Sequence, residues 1–197
     1  MVSQLNVDKI YNEGGDNDSG INLDTNDTVK FDIAGSTKWT MNSSGNLFPS
    51  STSQGICFGV TSDTASNRLD DYEEGTWTPV IVGSSTAGSG TYSTQSGTYT
   101  KIGRTVTFEC ALTWTNHSGS GYIYIGGFPF NAANQTYYVV QTEQISLGAD
   151  KVSFTARIAA SSNQGFLINS PTSGGDRAAI AMDTTGSVNA SGTYQTS

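Results

Sequence analysis

Four acids stand within five residues of this chain: Asp70, Asp71, Glu73 and Glu74. Glycoside hydrolysis needs two carboxylates roughly 5 to 10 Å apart across a sugar cleft. Acids this close in sequence share one connector and do not flank a cleft, so they read as structural. Asp16-x-Asp18-x-Gly20 hints at a calcium loop. The helix–loop–helix pattern wants Gly at its sixth position and Glu at its twelfth. Here Ile21 and Asp27 stand there, so a turn is the better reading. His117 is the only histidine and lies in Thr115-Asn116-His117-Ser118-Gly119-Ser120-Gly121, where it reads as an exposed turn residue of a hairpin loop. One histidine makes no two-histidine metal site, and no Ser/His/Asp or Cys/His grouping stands out. No catalytic residue, metal ligand or cofactor site is assigned, and the chain is read as a non-enzyme.

Binding is better supported than catalysis. Tyrosine rings stack on sugars, and amide side chains hydrogen-bond hydroxyls. Tyr92, Asn116, His117, Tyr122 and Tyr124 form the candidate recognition set, with Tyr137 and Tyr138 as further aromatics. Each tyrosine has a competing role as a strand aromatic packed across a sheet.

These residues need a scaffold, and composition limits its kind. Hydrophobic residues are 35% and charged residues 13%, both low for a globular chain, while aromatics reach 10%. Disordered chains carry few aromatics and high net charge. Aromatics inside alternating runs instead indicate an all-β fold rich in turns. The net charge of −8 argues against nucleic-acid binding and against docking on an anionic membrane. No apolar run approaches the ~20 residues of a membrane span. The first residues, Met1 to Asp8, have neither the basic nor the apolar part of a signal peptide, which leads to the expectation of folding in a cytoplasm. Cys57 and Cys110 then read as free thiols, with Cys110 a small core residue.

The chain divides by pattern. Residues 1–63 hold short strands between turn clusters. Val29, Phe31 and Ile33 fall on one face, with Lys30 and Asp32 on the other. Each strand offers two or three apolar side chains, too few to offset chain entropy alone. Copies from other chains would complete the layer, which predicts an oligomer. Residues 64–75 are expected to form a helical turn capped by Ser66 or Asn67 and ended by Gly75, serving as a neck. Residues 76–197 hold eight or nine strands. A long loop runs from Gly83 to Gly97, and the clearest strand puts Val106, Phe108, Cys110, Leu112 and Trp114 inward. Tyr122–Ile125, Tyr137–Val140, Gln144–Leu147, Val152–Ile158, Phe166–Ile168, Ala178–Met182 and Gly192–Tyr194 follow. The expected fold is an antiparallel β-sandwich, jelly-roll-like.

Asp70-Asp71-Tyr72-Glu73-Glu74-Gly75-Thr76-Trp77-Thr78-Pro79 resembles the opening of a C-terminal β-domain in phage tail-fibre and related virion proteins. Ser96-Gly97-Thr98-Tyr99-Thr100-Lys101-Ile102-Gly103-Arg104 resembles its second strand and hairpin. Ile125-Gly126-Gly127-Phe128-Pro129-Phe130 resembles its middle element, and Ser191-Gly192-Thr193-Tyr194 its closing strand. The resemblance implies a virion surface protein, a homotrimeric short tail fibre in which residues 1–63 form a thin intertwined β stalk below the C-terminal knob. Its N-terminal region would attach to other virion proteins and its C-terminal knob would bind a host-surface glycan or protein. The alternative is a head or neck decoration fibre with a particle-stabilising role.

Overall fold

A computed structural model describes residues 7–11, 18–143, 151–171 and 178–196. It divides into two compact units, Met1–Asp71 and Tyr72–Ser197. Asp16 of the calcium-like turn and the strand expected over Gln144–Leu147 lie outside the described residues.

The first unit is an antiparallel meander of β1 (Lys9–Tyr11), β2 (Gly20–Asn22), β3 (Val29–Ile33), β4 (Ser36–Met41) and β5 (Leu47–Pro49). Beside it lie β6 (Ile56–Cys57) and β7 (Arg68–Leu69), paired with each other. Ala34 and Gly35, at φ 52° and 67°, make the two-residue hairpin between β3 and β4. Both central residues are left-handed, as a type I′ turn requires. What this unit buries is unusual. Asn22 and Asp32 are its only buried side chains among the described residues, and no hydrophobic one is. Asn22 Nδ2 donates to Asp32 Oδ2 at 2.9 Å and Thr37 Oγ1 donates to Oδ1 at 2.7 Å. These bonds, Thr37 first, hold the Asp32 carboxyl below the usual carboxylate range. The expected apolar face of β3 is the outer one, with Phe31 37% and Ile33 56% exposed.

The helical neck does not form. Only Ala65–Asn67 make a 3-10 turn, preceded by Thr64, whose side chain makes no capping bond. The acidic stretch after it is strand, because it finds a partner. β8 (Tyr72–Trp77) pairs with β10 (Thr91–Ile102), and cross-strand pairing outweighs a weak helical tendency. The second unit therefore begins at Tyr72, four residues before the expected boundary. The long loop is also shorter than expected, since β10 starts at Thr91. Its Ser/Thr-rich outer positions hide the alternation, and a bulge between Tyr92 and Thr94 shifts the register.

The remaining strands are β9 (Val80–Gly83), β11 (Thr105–Thr115), β12 (Ile123–Gly126), β13 (Thr136–Glu143), β14 (Lys151–Ile158), β15 (Gly165–Pro171), β16 (Ala178–Ala179) and β17 (Gly186–Gln195). The fold is all-β. Among the described residues ten strands form one antiparallel sheet, ordered β8-β10-β11-β17-β13-β14-β15-β12-β9, with β16 beside β15. The two layers expected of a sandwich thus belong to a single curled sheet. Chain geometry demands the curl. β8 and β9 are the two ends of that order, yet only Thr78 and Pro79 separate them. Three residue steps reach at most about 11 Å, so the two edges must meet. Side chains close the seam: Ile81 N–H donates to Tyr92 Oη at 2.8 Å, and Gln95 Nε2 donates to the Pro79 carbonyl at 2.9 Å.

Inside the curl lies an aromatic core. Phe108 is 1% exposed, and its ring centroid is 4.9 Å from that of Phe128, 5.2 Å from Tyr138 and 6.0 Å from Tyr194. Trp77 stacks on Phe128 at 4.8 Å. The family-like segments meet here. Gly75-Thr76-Trp77 pairs with Gly97-Thr98-Tyr99 in reverse, so each glycine opposes the other strand's aromatic. A Cβ on Gly97 would collide with the Trp77 indole, so the position has to be glycine while the tryptophan lies flat there.

Candidate functional site

Strand alternation decides which candidate residues face solvent. On β12, Ile123 and Ile125 are fully buried, so Tyr124 points outward. Tyr122, two residues earlier, is 51% exposed. On β13, Tyr138 is buried and Tyr137 is outward at 46% exposure. Tyr122, Tyr124 and Tyr137 are thus outward residues. Cross-strand register then builds a stripe: Tyr137 opposes Arg157, Arg157 opposes Phe166, and Phe166 opposes Tyr124. The Arg157 guanidinium lies 4.2 Å from the Phe166 ring centroid, and the Tyr124 ring lies 5.6 Å from Phe166 on a tilted plane. This face can stack on flat ligands and present a cation.

A second feature continues the outer surface around the sheet. Thr98, Glu109, Ser191 and Val139 form one cross-strand row, and Ser96, Ala111, Asn189 and Gln141 the next. Together they floor an open trough of about 460 Å³. Its small hydroxyl and amide side chains suit hydrogen bonding to a polar ligand.

The other candidate residues serve the fold. Tyr92 spends its hydroxyl on the seam. Asn116 holds a left-handed φ of 55°, which asparagine tolerates. His117 is 2% exposed, which corrects the exposed turn residue expected from sequence. Gly119 N–H donates to its Nδ1 at 3.0 Å, so Nδ1 carries no proton and Nε2–H donates to the Ile81 carbonyl at 3.0 Å. The ring latches the 116–121 loop to β9, an arrangement that sequence spacing does not reveal. Replacing His117 with alanine leaves the buried Ile81 carbonyl and the partly buried Gly119 N–H without partners. The expected cost is about 2 to 3 kcal/mol, read as a lower denaturant midpoint with an unchanged slope.

Tyr138 is buried at 4%, and its hydroxyl meets no hydrogen-bond partner. A buried phenol without a partner is costly. Tyr138→Phe keeps the ring and is expected to stabilise the unit by about 1 kcal/mol in equilibrium unfolding.

The acids of the cluster have separate partners. Tyr99 Oη donates to Glu73 and Tyr72 Oη donates to Glu74 at 2.7 Å, which raises both tyrosine pKa values. Glu73 and Glu74 are consecutive on β8 and point to opposite sides of the sheet. Asp70 lies 3.9 Å from Arg68. Among the described residues, no group of three or more His, Cys, Asp or Glu is placed to hold a metal ion. Sequence reasoning missed Arg157 and Phe166 as site residues. Both are visible as members of alternating runs, but their meeting depends on register between β14 and β15.

No family model matches the sequence, and no curated protein matches it. The crystal structure of the Dettilon tailspike protein is similar, with a TM-score of 0.50 and 17% identity over 63% of this chain and 24% of the tailspike chain. The chain therefore corresponds to about a quarter of that protein's length, and at this identity the likeness concerns the fold: this is a β fold of the kind a phage tailspike contains.

Proposed function

We propose that this chain is a phage virion fibre protein, a homotrimer on the particle surface. Its N-terminal region would attach to other virion proteins, and its C-terminal unit would adhere to a host-surface glycan or protein. One observation carries the reading. Residues from Tyr72 onward build a finished core, whereas no described residue before them buries a hydrophobic side chain. Ile10, Ile33, Leu47, Phe48, Ile56 and Phe58 are each at least 45% exposed. An open hollow of about 440 Å³ lined by Phe31, Trp39, Leu47 and Ile56 is likewise uncovered. Such surface in one chain calls for further copies to cover it. The tailspike-like fold supports the virion setting. The proposed role is binding without a bond-breaking step. Three weak sites on one fibre would bind tightly through multivalency.

Solution mass and cell binding test the reading together. A particle of three times the 20.7 kDa chain mass is expected, retained on host cells. A folded monomer would overturn the assembly. A trimer that binds no cells, and that maps to the head or neck of the particle, would replace adhesion with the decoration role.

A further inference from the structure

The outward stripe holds a cation with no described counter-ion. Among the described residues no carboxylate pairs with Arg157, although the chain carries a net charge of −8. Its Nε is buried with no hydrogen-bond partner, and so is Oγ1 of Thr155, two residues earlier on the same face of β14. Arg157 is outward because Ala156 and Ile158 on either side are fully buried. Its guanidinium rests on Phe166 at 4.2 Å, and Tyr124 stands against the same ring. Contact with the ring restricts the guanidinium and lowers the entropy lost when it meets a planar anion. A guanidinium seated on an aromatic ring, with no carboxylate partner among the described residues, matches one ligand chemistry: a sugar ring for the aromatics and a carboxylate for the fork.

We infer that the Tyr137–Arg157–Phe166–Tyr124 face binds an acidic glycan. A uronic- or sialic-type carboxylate takes the guanidinium, and the adjoining sugar ring lies against Tyr124. Tyr122, on the same side of β12, extends the platform toward the next sugar. This names the ligand class of the adhesion proposed above and rests on that reading.

The test uses the full chain on immobilised oligomers of galacturonate, glucuronate and N-acetylneuraminate, with maltotetraose and chitotetraose as neutral probes. Retention on at least one acidic oligomer and on neither neutral one is expected, and it should weaken as salt rises. Arg157→Gln should reduce it at least tenfold. Arg157→Lys should recover only part, because a point charge lacks the bidentate fork. Tyr124→Ala should weaken it with the charge intact. Equal retention on neutral sugars, no retention on any acidic oligomer, or an unchanged Arg157→Gln variant overturns the inference. Host-cell binding run in parallel separates the two proposals. Wild-type and Arg157→Gln protein binding cells equally removes this site and leaves adhesion standing. Acidic-oligomer binding through Arg157 without any cell binding does the reverse.

Discussion

Phe108→Ala is expected to cost the Tyr72–Ser197 unit about 4 kcal/mol, within the range for emptying a phenylalanine from a packed core. Phe108 is the ring around which the others arrange. Phe128 and Tyr138 meet it edge-on, at interplanar angles of 89° and 81°, and Trp77 does so at 79° and 6.4 Å. Deleting it leaves a cavity and removes three edge-to-face pairs at once. Its backbone also sits in the middle of the sheet, opposite Tyr99 on one side and Gly192 on the other. With no side chain at 192, nothing on that side of the row can move in to fill the space. A two-state domain has roughly 5 to 15 kcal/mol in total, so the variant should be folded only marginally. Guanidinium unfolding followed by tryptophan fluorescence measures the loss. A cost below 1 kcal/mol would mean the core collapses around the hole and the aromatic cluster is not rigid.

The second large effect is alkaline instability. Burial pushes the Cys110 thiol from an ordinary 9.0 up to about 12 and the Tyr194 phenol from 10.0 up to about 12. Burial also raises Tyr138 well above 10.0. All three are neutral when protonated, and the folded state holds their protons more tightly than the unfolded chain does. Their contribution is therefore complete below pH 9 and is lost as pH rises through the folded values. Cys110 begins the loss above pH 9, and the tyrosines join above pH 10. By pH 12, Cys110 and Tyr194 together withdraw on the order of 6 kcal/mol. Equilibrium unfolding at intervals from pH 8 to pH 12 should show a steep decline, and Cys110→Ala should delay its onset by about one pH unit. Stability flat to pH 12 would mean these groups reach solvent without global unfolding. The acid limb has the opposite sign and belongs to the other unit. Asp32, whose pKa is lowered, contributes above the ordinary value of 3.8 and loses that contribution as pH falls further.

Much of the core was legible because period-2 alternation needs no partner to be seen. Val106 to Trp114 reads as strand, and its inward set is the buried set. Pairing was not legible. Tyr72–Trp77 carries a helix-like run of acids, and only β10 beside it makes it a strand. Thr91–Ser96 offers the core only Tyr92, so no local alternation separates it from a loop. Asp32 and Phe31 trade places relative to expectation because burial in this thin sheet follows hydrogen bonding by Asn22 and Thr37. At the candidate site, Tyr122, Tyr124 and Tyr137 were recognisable by type. Their relation to Arg157 and Phe166 was not, because it exists only across β13, β14, β15 and β12. His117 shows the same limit: a loop residue by sequence becomes buried through its bond to Ile81.

The position of β17 has a kinetic consequence. This strand, late in the chain, lies between β11 and β13, with Phe108 opposite Gly192 and Val139 opposite Ser191. The β10–β11 hairpin has only Gly103 and Arg104 in its loop and can close within about 10 μs. Growth of the sheet beyond β11 waits, because among the described strands it is β17 that pairs with both β11 and β13. Until β17 arrives, each presents an open edge of unpaired amides, a template for pairing with the wrong chain. Folding of this unit should therefore be limited by one long-range insertion, on the order of milliseconds to seconds. A chain cut before Gly186 would not leave a smaller domain but two bare edges, and it should aggregate.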